Sequence, residues 1–139
     1  MMISTKGRYA LKIMIDLAQH REEGYVSLKA VSQRQEISVK YLEMIVGILN
    51  RAGLVDSMRG KSGGYKLNRK TEEYTVGEIL RLTEDGLVPV NCMGCQPDGC
   101  VKGEGCLTLP IWMKLDKVIN DYLESITLAD VVKNNKELL

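Results

Sequence analysis

Between Ser27 and Gly53 the chain reads LKAVSQRQ, then EIS, then VKYLEMIVGILNRA. Two apolar-periodic runs are thus separated by only Glu36, Ile37 and Ser38, and no other feature restricts the fold as much. Ser27 and Ser38 stand where a hydroxyl can cap a following helix, which predicts helices over Leu28–Gln35 and Val39–Ala52. Two helices across a three-residue turn form a helix-turn-helix unit. In the second helix Leu42, Ile45, Val46 and Leu49 recur at i, i+3, i+4 and i+7 and define a buried stripe. Lys40, Glu43, Met44, Gly47 and Arg51 take the opposite face, a mixed polar surface suited to base edges and phosphates.

The flanks extend this unit. Thr5–His20 predicts a helix whose polar residues Arg8, Lys12, Asp16 and Gln19 leave a wide apolar surface, to be buried on more than one side. After Gly53, a plausible C-cap, the runs LVDSM and YKLN enclose the basic, glycine-rich RGKSGG and predict a β-hairpin. Placed directly after a helix-turn-helix, the hairpin is a wing, and Arg59 and Lys61 at its tip suit phosphates or a minor groove. Gly60-Lys61-Ser62 is not a nucleotide-binding loop, because the glycine that such a loop needs at position 55 is Val55 and a strand pattern follows. Thr75–Glu78 resembles a capping box opening a helix to about Thr83.

Leu107–Ser125 predicts a long helix with Pro110 in its first turn. Ile111, Leu115, Val118 and Tyr122 are spaced as in a coiled-coil seam, and Trp112, Ile119, Leu123 and Ile126 widen the apolar surface. One narrow domain cannot easily bury it all, so a homodimer is expected. The predicted fold is mainly α: a winged helix-turn-helix over residues 1–83, a Cys-rich loop over 84–106, and a dimerisation helix and tail over 107–139.

Charge divides along the same line. Residues 1–70 hold 13 Lys+Arg against 6 Asp+Glu, a net +7, and residues 71–139 hold 6 against 12, a net −6. The basic half predicts a polyanionic partner, and the acidic half should face elsewhere. No apolar run approaches the roughly 20 residues of a membrane span, and the N-terminus is too polar for a signal peptide. The expectation is a cytoplasmic protein without a membrane partner, in a compartment where thiols stay reduced.

All four cysteines, Cys92, Cys95, Cys100 and Cys106, fall in the glycine-rich VNCMGCQPDGCVKGEGC. Structural zinc favours two separated C-x-x-C pairs, and only Cys92–Cys95 makes one. An iron–sulfur cluster needs about four ligands on a flexible loop and gains from backbone N–H groups, which glycines expose. Regulatory disulfides without metal would leave the glycines unexplained. On spacing alone, cluster and zinc remain open, with metal-free redox chemistry behind them.

The stretches ISTKGRYALKIMIDLA, ISVKYLEMIVGILNRAGLVDSMRGKSGGYKL and VGEI, together with CLTLPIW and ITLADVV, resemble the IscR-type iron–sulfur-sensing winged-helix regulators, a family that also holds the NsrR-type repressors. The resemblance covers about residues 2–135 and is specific when the motifs are taken together. It implies a homodimeric repressor or activator that binds double-stranded operator DNA and carries an iron–sulfur cluster of the 2Fe–2S type. It implies Cys92, Cys100 and Cys106 as cluster ligands. IscR proteins have a histidine three residues after the last cysteine, and this chain has Leu109 there. The fourth ligand is then Cys95, Glu104, a residue of the partner subunit or an exogenous thiol. The only histidine, His20, reads as a helix-terminal surface residue.

The resemblance also implies DNA contacts by Lys40, Tyr41, Glu43 and Met44 on the second helix of the unit and by Arg59 on the wing, and Ser38 and Lys61 beside them are further DNA-contact candidates. Glu43 could accept from cytosine N4, and Lys40 could donate to guanine or phosphate. No nucleophile–base pair, metal-ligating histidine pair or phosphate loop suggests an enzyme. The expected function is DNA-binding transcription regulation modulated by an iron–sulfur cluster, in control of iron–sulfur biogenesis or related stress genes. A zinc-stabilised winged helix or a small redox protein is the alternative.

Overall fold

The computed structural model describes residues 3–91, 105–134 and 136–137. Its elements in chain order are helix α1 (Thr5–Gln19), α2 (Leu28–Gln35), α3 (Val39–Arg51), strand β1 (Val55–Met58), β2 (Gly64–Leu67), and helices α4 (Val76–Thr83), α5 (Leu109–Ser125) and α6 (Leu128–Val132). The helix caps follow local chemistry. Ser4, Ser27, Ser38, Thr75 and Thr127 each accept a hydrogen bond from the backbone N–H three residues on, which satisfies a donor the helix itself cannot.

Helix α1 is the hub, in contact with α2, α3, α4, α6 and β2. Its Ala10, Ile13, Met14 and Leu17 are fully or almost fully buried and meet Val31 of α2 and Leu42, Ile45, Val46 and Leu49 of α3. The stripe expected on α3 is therefore the one that is buried. Asp16, expected among the polar positions of α1, is buried too. The reason is a clamp from α2, described below.

The wing is an antiparallel pair, with Val55 opposite Leu67 and Met58 opposite Gly64. Val26 and Tyr65 exchange two 2.8 Å backbone hydrogen bonds, so β2 is held on both edges. Gly64 allows this approach, because a Cβ there would collide with the Val26 carbonyl. Tyr74 secures the base of the wing. Its ring is fully buried, and its hydroxyl donates to Leu54 O at 2.8 Å and accepts from the backbone N–H groups of Asn68 and Arg69, each at 3.1 Å. One phenol thus joins the residue before β1 to the two residues after β2.

Three expectations shift in detail. The long helix begins at Leu109, with Leu107 and Thr108 in the preceding turn. The capping box at Thr75 is half realised: Thr75 caps Glu78 N–H, but the Glu78 carboxylate turns to Arg69 at 2.9 Å. Residues past α5 also form an element of their own. Ile126 O accepts from Val76 N–H, Leu128 N–H donates to Tyr74 O, and α6 seats the fully buried Leu128 in the core around α1.

Tyr74→Phe leaves two backbone N–H groups without their acceptor. It should lower stability by about 1–2 kcal/mol, read by urea unfolding, and a change below a few tenths of that would remove Tyr74 as the anchor.

Candidate nucleic-acid interface and thiol segment

The turn between α2 and α3 places the reading helix. Glu36 adopts a left-handed conformation with φ 55°, Ile37 is buried, and Ser32 Oγ donates to Ile37 O at 2.6 Å. Ser38 then caps α3 through Tyr41 N–H at 3.2 Å. Ser38 thus has a structural task besides the DNA contact expected of it.

Lys40, Glu43 and Met44 are exposed on the first two turns of α3, and Arg59 and Lys61 are exposed at the wing tip. Among the described residues, none of the four charged heads forms an ion pair within the chain. Tyr41 is half-buried and meets Tyr9 edge-on, with ring centroids 5.5 Å apart, so its ring braces α3 on α1. The hairpin follows α3 through the single turn at Ala52–Leu54, so helix and wing tip belong to one continuous unit.

Asp16 was not singled out by the sequence as a functional residue, yet it orients this unit. Its side chain has no solvent exposure. Arg34 Nε and Nη2 donate to its two oxygens at 3.0 and 2.7 Å, and Gln35 Nε2 donates at 3.0 Å. Burial alone would raise the carboxyl pKa, but the hydrogen bonds from Arg34 and Gln35 and the Arg34 charge outweigh it and hold it below its ordinary value. Both donors lie in the last turn of α2, so the clamp fixes the residues that lead into the helix-turn-helix turn. His20 caps α1, with Nδ1 2.9 Å from Asp16 O.

Of the thiols, Cys106 is described, and Cys92, Cys95 and Cys100, like Glu104, lie outside the described residues. Cys106 is half-buried, three residues before Leu109 opens α5, with Sγ 3.3 Å from Thr108 Oγ1. Leu109 offers no donor atom. Among the described residues no group of three or more His, Cys, Asp or Glu is placed to hold a metal ion.

Both arms of the thiol segment are fastened to the winged-helix half. On the upstream arm, Glu84 Oε1 accepts from Ser4 N–H at 3.0 Å and Ser4 Oγ at 2.8 Å, at the very start of α1. Gly7 makes room, since a Cβ there would strike the Glu84 carboxylate. On the downstream arm, Glu124 of α5 pairs with Arg81 of α4 and accepts from Thr75 Oγ1 at 3.1 Å. Helix α5 leaves Ile111, Leu115, Val118 and Tyr122 exposed, each by 41–57%. Among the described residues no helix is long and apolar enough to cross a membrane.

A capped helix-turn-helix, clamped at the end of its first helix and followed by a basic wing, defines the winged-helix class of DNA-binding folds. The profile of the Rrf2 family, described as iron-dependent transcriptional regulators, matches residues 3–134, and the chain belongs to that family. It is 42% identical over 139 residues to the HTH-type transcriptional regulator IscR of Erwinia tasmaniensis, covering 100% of this chain and 82% of the other. The structure of T. potens IscR matches with TM-score 0.77 and 41% identity, over 99% of this chain and 90% of that one. The structure of CymR (YrzC), the global cysteine regulator of B. subtilis, matches with TM-score 0.79 and 37% identity, over 96% and 98%.

The depressed pKa of Asp16 has a definite sign for stability. Its contribution is full above the unfolded value of about 3.9 and is lost as pH falls through the lower folded value. Asp16→Asn should cost about 2–3 kcal/mol at pH 7, below the usual cost of breaking a buried pair because Arg34 is 33% exposed and asparagine still accepts a hydrogen bond. Urea unfolding at pH 7, 5, 4 and 3 should show a shallower acid loss in the variant than in the wild type. Parallel profiles would remove Asp16 as a source of acid lability.

Proposed function

We propose that this chain regulates transcription as a homodimer whose two α3 helices and wings bind a pseudo-palindromic operator, with affinity set by an iron–sulfur cluster on the thiol segment. The observation that carries the DNA reading is the exposed set Lys40, Glu43, Met44, Arg59 and Lys61 on one continuous reading unit, with Ser38 and Tyr41 fixing its helix. Arg59 and Lys61 neutralise phosphates, Lys40 donates to guanine or phosphate, and Glu43 offers an acceptor that suits cytosine N4 and is repelled where no such donor faces it. The exposed seam on α5 supports the dimer.

Cys92, Cys100 and Cys106 would hold the cluster, with Cys95 as the simplest fourth ligand because Leu109 has no donor atom. The cysteine spacing leaves cluster and zinc open, and the likeness to IscR favours the cluster. The cluster, 2Fe–2S by resemblance to IscR, would supply a centre sensitive to iron, oxidants and cluster supply. The protein's part is to transmit its presence. The Glu84–Ser4 contact leads from the thiol segment to α1, which carries α3, and the Glu124–Arg81 pair leads from α5 to α4. Occupancy of the segment can bias the reading unit through both. The equally strong fold likeness to CymR, whose Staphylococcus aureus form has been solved in an oxidized form, favours a second reading, in which the thiols act by oxidation without metal.

Anaerobic absorption spectra of the wild type and of serine variants at each cysteine separate these readings. The cluster reading predicts a coloured wild type and loss of colour in Cys92→Ser, Cys100→Ser and Cys106→Ser. Colourless protein after iron–sulfide reconstitution, with stoichiometric zinc or no metal at all, contradicts it. Full colour in Cys95→Ser removes only Cys95 from the ligand set.

For the dimer, Leu115→Glu with Val118→Glu should give monomers in sedimentation and weaken operator binding by about 100-fold, because one half-site no longer recruits the other. Dimers that persist with unchanged affinity would place the interface elsewhere.

A further inference from the structure

Large exposed apolar side chains among the described residues fall into two sets. One lies on α5 and the turn before it. The other consists of Val39, Met44 and Met58, all on the reading unit. Val39 is 39% exposed and Met44 is 47% exposed, whereas the core side of α3 is already filled by Leu42, Ile45, Val46 and Leu49 at 0%. The fold offers Val39 and Met44 no place to be buried.

Their setting names what could cover them. They stand in the first two turns of a recognition helix, the part that reaches base edges, beside Lys40 and with Arg59 and Lys61 on the adjoining wing. That charge suits a polyanion. The major groove of duplex DNA has one apolar group of matching size, the C5 methyl of thymine. Met58 is set apart, because it ends β1 at the wing, and a minor groove offers no methyl.

At about 100° and 1.5 Å per residue, Val39 and Met44 lie about 140° apart around the helix and about 7.5 Å apart along it. Glu43 and Lys40 fall between them in angle. The face therefore runs methyl contact, acceptor, donor, methyl contact. We propose that Val39 and Met44 read thymine methyl groups that bracket the G·C pair served by Glu43 and Lys40, which makes both of them specificity-determining residues. The β-branched Val39 is stiff at χ1 and fixes its thymine closely, while the flexible Met44 tolerates more variation at the second position. This inference rests on the DNA reading proposed above.

The test uses the full chain and a duplex enriched on it from a random library. Each thymidine of that duplex is replaced in turn by deoxyuridine, which removes the methyl and nothing else, and affinity is read by fluorescence anisotropy at fixed salt. Two positions per half-site should each weaken binding about three- to fourfold, the worth of one buried methyl. Val39→Ala should abolish the penalty at one position and Met44→Ala at the other, with Lys40→Ala leaving both in place. Both residues are exposed, so the alanine variants should keep the wild-type Tm. Deoxyuridine duplexes that bind as well as the parent would overturn the inference, as would penalties that persist in both alanine variants. Failure to enrich or bind any duplex would instead overturn the DNA reading itself, and the inference with it.

Discussion

Asp16 is fully enclosed in α1, and its charge is tolerated there because two arms of Arg34 and the amide of Gln35 satisfy it. A buried carboxylate with fewer donors would carry a desolvation cost of several kcal/mol. The clamp therefore does not merely tolerate α2 beside α1; it requires the last turn of α2 at one position. The left-handed Glu36, the buried Ile37 and the Ser38 cap follow within three residues, so the entry angle of α3 depends on that charge. Apolar packing of Leu42, Ile45, Val46 and Leu49 stabilises α3 but is non-directional. The bidentate pair is directional.

The same helix α1 joins the two ends of the molecule. At its start, Ser4 is held by Glu84, the residue after α4 on the way to the thiol segment, and at its end stands the Asp16 clamp. A change in the path of residues 84–91 thus has a rigid lever toward the reading unit. The arm after Cys106 is different in kind. It runs straight into α5, whose seam suits a second copy, and returns through α6 to the core around α1. Occupancy of the thiol segment could bias both the single reading head and the spacing of two.

Much of this was legible in the sequence because it is local. Serine caps, a four-residue apolar stripe and a glycine-rich basic turn report on neighbours in the chain, and α2, α3 and the wing lie where those signals put them. Asp16 shows why other features were hidden: on a helix with Arg8, Lys12 and Gln19 at the same spacing, an acidic residue reads as solvated, and only the fold brings Arg34 to it. Tyr74 and Glu84 are hidden for the same reason, since their partners Leu54 and Ser4 are 20 and 80 residues away. In the candidate site, the charged residues of α3 and the wing were readable as a face. The cysteine spacing was readable as chemistry, and Leu109 as a departure from the IscR pattern, but spacing alone does not say which donor completes a ligand set.

The central question is whether the thiol segment governs DNA binding. The most direct measurement is anaerobic anisotropy titration of one enriched duplex with reconstituted protein and with the same preparation stripped by chelator, at a single salt concentration. If the segment governs binding, the two affinities should differ by at least about tenfold, within the usual range of coupling between two sites. Superimposable titration curves, from preparations whose spectra differ, would contradict it.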